Sequence, residues 1–221
     1  MIDCSQCKVP FGKRVCSSAD GATPADCTTA SQQPAVEKAK QIIQEDKEIL
    51  RFLAESSRQE ASGYERDERT GLTRPVKPRI IEVVEFCKRM GYRKIGLAFC
   101  GGLVNEAKVV GEILSTNGFE VVSAICKVGA VDKSFLGLEE EEKINGPGFE
   151  PMCNPVGQAM IMNEAKTEFN ILLGLCVGHD SLFLKYSEAM CTVLAVKDRV
   201  ICHNPLGAIY SSDTYYKYVK M

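Results

Sequence analysis

Two apolar runs of the same design frame the chain. Residues 94–102 read K-I-G-L-A-F-C-G-G, and residues 169–180 read F-N-I-L-L-G-L-C-V-G-H-D. Neither alternates apolar with polar positions, so each predicts a strand buried on both faces, as in a parallel sheet covered by helices. Each ends in a turn that presents a cysteine, Cys100 in the first and Cys176 in the second. Groups just beyond the carboxyl ends of such strands lie where open α/β sheets hold their ligands. Cys176, His179 and Asp180 are therefore candidates for chemistry.

The rest of the pattern fills in around these runs. Apolar residues at helical spacing (Val36, Ala39, Ile42, Ile43, Ile49, Leu50 and Leu53) predict one long packing helix over 34–59. Residues 64–73 are polar and read as a connection or frayed helix. Residues 78–90 predict a second amphipathic helix stopped by Gly91, with Cys87 as a small buried hydrophobe. Strands are predicted at 95–99, 119–125, 169–175 and 191–196, and helices at 103–116 and 156–167. A short helix or turn is expected at 181–187, and a last strand or packing segment at 207–210. Residues 127–154 form the longest irregular stretch, and connections of that length are often functional loops. Its acidic run, 139–142, reads as a solvated turn, because consecutive carboxylates point in different directions.

Strand, helix and strand in tight succession predict a right-handed parallel crossover. The fold class is therefore α/β: a three-layer, Rossmann-like domain with a mainly parallel sheet of four or five strands over residues 34–221. If the four strands order as second, first, third, fourth, Cys100 and Cys176 end neighbouring strands at the switch point, and Cys126 ends the adjacent one. Cys153 falls beside a helix amino terminus, where a thiolate is favoured. The turn C-G-G-L-V-N-E lacks the full dinucleotide fingerprint.

Composition narrows the chemistry. The 221 residues carry 27 Lys and Arg against 29 Asp and Glu, with no long basic run, so no nucleic-acid or membrane-surface footprint is expected. No stretch approaches the roughly 20 apolar residues that span a bilayer, and no secretory leader is read at the start, so a cytosolic location is the expectation. Eleven cysteines, an odd number, in a reducing compartment argue against a disulfide framework and for metal binding, redox chemistry or simple burial. With two histidines in the chain, any four-ligand centre must be mostly thiolate, which favours zinc or an iron-sulfur cluster.

Residues 1–33 form a separate block with too few apolar residues for a core. Cys4, Cys7, Cys16 and Cys27 there predict a metal-binding module, since metal can supply the folding energy a core would supply elsewhere. In the main domain, Cys100, Cys126, Cys153 and Cys176 are expected to hold a cofactor or form a reactive thiol pair, with Cys153 or Cys176 as the attacking thiolate and His179 as proton donor or extra ligand. The competing readings are a non-redox enzyme or binder of a small anion, using the glycine turn and Lys197 or Arg199, and an interaction protein with purely structural metal. Cys191 and Cys202 have weaker claims, and His203 rims the same end of the sheet. A small molecule or an electron-transfer protein is the expected partner, its identity unspecified.

Several of these motifs together resemble a family of bacterial and archaeal proteins, DUF1847. They are C-x2-C at Cys4 and Cys7, A-F-C-G-G-L at 98–103, I-C-K-V-G at 125–129, M-C-N-P at 152–155, G-L-C-V-G-H-D-S at 174–181, V-K-D-R-V at 196–200 and H-N-P at 203–205. The resemblance spans nearly the whole chain and implies metal binding through cysteine.

Overall fold

The computed structural model describes residues 3–221, so the first two residues of the expected cysteine module lie outside the described residues. The chain divides into two units, Met1–Arg58 and Gln59–Met221.

The first unit has single 3-10 turns at Cys4–Gln6 and Phe11–Lys13, then α1 (Thr28–Ser31), α2 (Gln33–Glu45) and most of α3 (Lys47–Ser62). The long helix expected over 34–59 is interrupted at Asp46, which turns extended at ψ 104°. Its carboxylate accepts from the amides of Glu48 and Ile49 at 2.9 and 3.1 Å, so the residue starts a new helix instead of continuing the old one. The apolar stripe is also less covered than a packing helix requires. Ile42, Leu50 and Leu53 stay 47, 46 and 42% exposed, and no described residue from 3 to 58 is buried.

The second unit opens with a hairpin, β1 (Tyr64–Arg66) and β2 (Thr73–Pro75), where a connection or frayed helix was the expectation. Asp67 makes the turn, accepting from the amides of Arg69 and Thr70 and from the Thr70 hydroxyl. Then follow α4 (Arg79–Met90), β3 (Lys94–Phe99), α5 (Val104–Thr116), β4 (Glu120–Ile125), α6 (Pro155–Glu164), β5 (Phe169–Leu175), α7 (His179–Tyr186), β6 (Cys191–Val196) and α8 (Leu206–Tyr210). The 207–210 segment is thus helical, and the helix expected at 181–187 begins two residues earlier, at His179.

The last four strands form one parallel sheet in the order β4-β3-β5-β6. After β4 the chain passes back over β3 to reach β5, and right-handed crossovers then put α5 on one face and α6 and α7 on the other. Ala98, Ala124 and Leu172 of the sheet meet Ala159 and Met162 of α6 and Phe183 of α7 in a closed core. Every residue of β5 is buried, and its larger apolar side chains contribute about 1.5–3 kcal/mol each by leaving water. β5 is therefore the anchor of the unit.

The end of β5 is bent by design. Gly174 has φ +67°, the register with β6 slips on either side of Leu173, and a Cβ on Gly174 would lie 2.1 Å from Leu103 Cδ1. Only glycine permits this bulge with Leu103 pressed against it. The C-G-G-L turn after β3 and the G-L-C turn after β5 are packed on one another as a result.

The irregular stretch after β4 is pinned by charge instead of a core. Lys133 pairs with Glu150, and Lys143 contacts Glu140 at 2.6 Å and Asp132 at 3.6 Å. Asp132 also accepts from the amides of Ser134 and Glu150. The acidic run forms a 3-10 turn, Glu140–Glu142.

Candidate functional site

The carboxyl ends of the four parallel strands each present a thiol or a cation. β3 runs into Cys100, β4 into Cys126 and Lys127, β5 into Cys176, and β6 into Lys197 and Arg199. Cys153 joins them from the loop before α6, because the Asn154 amide donates to Cys126 O at 2.7 Å while the Asn154 side chain accepts from Gly157 and caps the helix. A strong cap thus sets Cys153 beside the end of β4.

Three of the four predicted crevice cysteines are brought together in a chain. The Cys126 thiol contacts Cys153 on one side and Cys100 on the other. The Gly101 amide also donates to Cys126 Sγ, at 3.2 Å. Cys100 and Cys126 are buried, and Cys153 is half-buried against the same core. Cys176 stands outside this chain. Its sulfur accepts from the Arg199 guanidinium at 3.1 Å, at the rim.

The environment splits the paired thiols. Contact with Cys126 is the main influence holding the Cys153 thiol down, to about 5; burial opposes this, and the charges of Lys127 and His179 reinforce it. Cys126 moves the opposite way, raised first by the same contact and then by burial, with the Gly101 amide working against both. One proton is therefore held between two sulfurs, with Cys153 as the thiolate. At Cys100 burial works against ionisation, but the Gly102 amide, the Lys197 ammonium and Cys126 outweigh it and lower the thiol. The Nζ of Lys197 stands 3.3 Å from where a Cβ on Gly102 would lie, so the glycine makes room for that cation. Cys87, on α4 and wholly buried, is a contrast: burial alone pushes it up to about 12.

His179 occupies the first turn of α7 and is half-buried. Its Nδ1 is buried and has no hydrogen-bond partner among the described residues. His203 braces the loop that carries Lys197 and Arg199, its Nδ1 lying 3.2 Å from both the Asp198 amide and Val196 O. Cys191 packs against the core and Cys202 is exposed.

Two residues of the site escaped the sequence pattern. Lys127 donates to Pro151 O at 2.5 Å and charges the Cys153 side of the pair. Gln158, fully buried on α6, donates to the last carbonyl of β3 and the next-to-last of β4, Phe99 O at 3.2 Å and Ala124 O at 2.7 Å. The I-C-K motif did carry a signal for the first, since a cation beside a strand-end cysteine is an activating neighbour. Gln158 carried none.

The amino-terminal cysteines are arranged differently. Cys4, Cys7, Cys16 and Cys27 all line one cavity of ≈70 Å³ in the first unit. Among the described residues, no three Cys, His, Asp or Glu side chains anywhere in the chain stand close enough to hold a metal ion as arranged. No helix among them is long and apolar enough to cross a membrane.

Comparison with known proteins agrees with the motifs. An uncharacterized protein of Methanocaldococcus jannaschii is 44% identical over 210 residues, 95% of this chain and 94% of that relative. The family model described as a protein of unknown function, DUF1847, matches residues 27–194, a span that contains β3, β4 and β5 whole, β6 up to Leu194, and the Cys100, Cys126, Cys153 and Cys176 positions. The chain belongs to the DUF1847 family.

Proposed function

We propose that this protein is a cytosolic thiol-redox protein whose working centre lies at the carboxyl ends of the parallel strands. Cys153 is the attacking thiolate and Cys126 its partner. One observation carries the reading: two cysteines 27 positions apart in sequence meet beside the strand ends, with Lys127 and His179 on the Cys153 side of the pair. A merely packed pair has no need of Lys127 and His179 beside one member.

The chemistry is a two-step exchange with a substrate disulfide, RSSR. Cys153 attacks one sulfur, forming a mixed disulfide and expelling RS⁻, which takes up a proton. Cys126, losing its proton, then attacks the Cys153 sulfur and expels the second RS⁻. The protein ends with a Cys126–Cys153 disulfide and the substrate as two thiols: two electrons leave the pair, the proton lost by Cys126 goes to one leaving thiolate, and the other leaving thiolate takes its proton from the surroundings. His179, beside Cys153, is the group placed to supply the leaving thiolate with its proton, and Lys127 holds the attacking thiolate.

The test is disulfide mapping of the full chain, purified without oxygen and then treated with a mild disulfide oxidant. A Cys126–Cys153 bond that forms and is lost in Cys153→Ser supports the reading; a pair that stays reduced at matched oxidant while Cys202 reacts overturns it.

A second reading has its own support. The Gly101 amide on Cys126 and the Lys197 ammonium on Cys100 are anion-stabilising donors of the kind that surround metal-bound thiolates. In that reading Cys100, Cys126 and Cys153, with Cys176 from the rim, hold zinc or an iron-sulfur cluster. Iron and acid-labile sulfide that fall in Cys126→Ser would replace the dithiol reading with this one.

A further inference from the structure

The crevice chemistry leaves Cys4, Cys7, Cys16 and Cys27 without a role. They lie in the other unit, and three of the four precede the span matched by the family. We propose that these four cysteines together hold one zinc ion that fastens the fold of the first unit. The proposal goes beyond the thiol-redox reading and does not rest on it.

Convergence is the first argument. The four positions are spread over 24 residues, yet all line a single cavity of ≈70 Å³. Three local devices bring them there. The turn Cys4–Gln6 closes with the Cys7 amide donating to Cys4 O, making the C-x2-C pair a knuckle. The chain then doubles back, with the Ala22 amide donating to Lys13 O at 2.8 Å and the Val15 amide to Ala22 O at 3.2 Å. Gly21 is obligatory in that return, because a Cβ there would lie 2.2 Å from Arg14 backbone atoms. Finally, Arg14 ties the two halves together, donating to Val9 O at 2.6 Å and Cys7 O at 3.0 Å. A loose strap with incidental thiols needs none of these closures.

The second argument is what the unit lacks. None of its described residues is buried, so hydrophobic burial does not explain why residues 3–27 hold a turn-rich shape. Segments of this kind are commonly held by a metal or by disulfides, and all four cysteines are free thiols. The donor set settles the class of metal. Both histidines lie in the second unit, and the cavity brings four thiols with two carboxylates, Asp3 and Asp26, beside them; a set this rich in sulfur selects a soft ion and suits tetrahedral zinc. Because the thiols line the cavity without meeting in it, the ion would draw them inward, coupling binding to local folding.

The experiment uses the full chain, expressed in zinc-supplemented medium, with metal content measured per chain and cobalt substituted for spectroscopy. Expected are one zinc per chain, an intense thiolate-to-cobalt charge-transfer band with tetrahedral d–d bands, and loss of at least nine-tenths of the metal in Cys16→Ser and in Cys27→Ser. Cys202→Ser, an exposed cysteine of the second unit, keeps its zinc. Hydrogen exchange of β5 amides accompanies each variant; native protection there shows that metal loss is not general unfolding. Zinc retained in both Cys16→Ser and Cys27→Ser, a metal-free protein after zinc reconstitution, or iron with labile sulfide in place of zinc would each overturn the proposal.

Discussion

The two groups of cysteines in this chain are gathered by opposite means. In the first unit, short turns gather four exposed or half-exposed thiols that are near in sequence, and no buried side chain supports them. In the second, Cys100, Cys126 and Cys153 come from three distant places, and the parallel sheet delivers them to one another within a packed core. The difference teaches what each group is fit for. Thiols without a core depend on what binds them, so a site there serves structure. Thiols held by a core keep their geometry when nothing is bound, which is what a reactive centre requires.

The comparison breaks most visibly on metal removal. A strong chelator applied to the zinc-loaded chain is expected to bring amides of residues 3–27 to exchange rates near those of an unfolded chain, a change of several orders of magnitude. Amides of β5 should keep their protection. Equal loss of protection in both units would mean that the second also depends on metal.

Next in size is Gly174→Val, which removes the bulge and drives a side chain into Leu103. Overpacking with backbone strain predicts a loss of about 3 kcal/mol or more by denaturant unfolding of the second unit. Zinc content of the first unit should not change.

A smaller effect sharpens the view of the crevice as a reactive centre. With Cys153 held at about 5, its alkylation rate should stay nearly level from pH 8 down to about 6 and fall through a midpoint near 5. Lys127→Met removes one stabilising charge and should move that midpoint up by about one unit. A wild-type midpoint at the ordinary thiol value would remove the argument for an attacking thiolate.

The smallest effect concerns the loop after β4. Hydrogen bonds from Ser134 and Glu150 hold Asp132 down, and Lys143 and Lys133 lead in doing the same for Glu140 and Glu150. A carboxylate lowered on folding contributes stability that is present above its unfolded value, about 4, and lost as pH falls through its folded value. Amides of Ser134, Asn145 and Gly148, which donate to these carboxylates, should therefore lose protection as pH falls below about 4, with the sheet still intact.

Which parts of this were legible beforehand follows from the range of the forces involved. The four parallel strands stood out because residues such as those of 169–175 are apolar without a break, a pattern that only two-sided burial accommodates. The interruption at Asp46 was masked because the apolar spacing on either side stays in phase, whereas the break is made by one carboxylate bonding two amides. The hairpin at 64–75 was masked for the same reason, being built on Asp67 and not on alternation.

By itself, the sequence determined the α/β class, the paired C-G-G and L-C-V-G turns and the thiol-rich character of both units, because these rest on local pattern and on residue chemistry. Only the tertiary structure decided that Cys126 meets Cys153 while Cys176 turns to Arg199, that Lys127 charges one thiol of the pair, and that Gln158 bridges two strand ends. Those outcomes depend on the register of the strands and on one bulge at Gly174, where a shift of a single residue turns a side chain from one face of the sheet to the other.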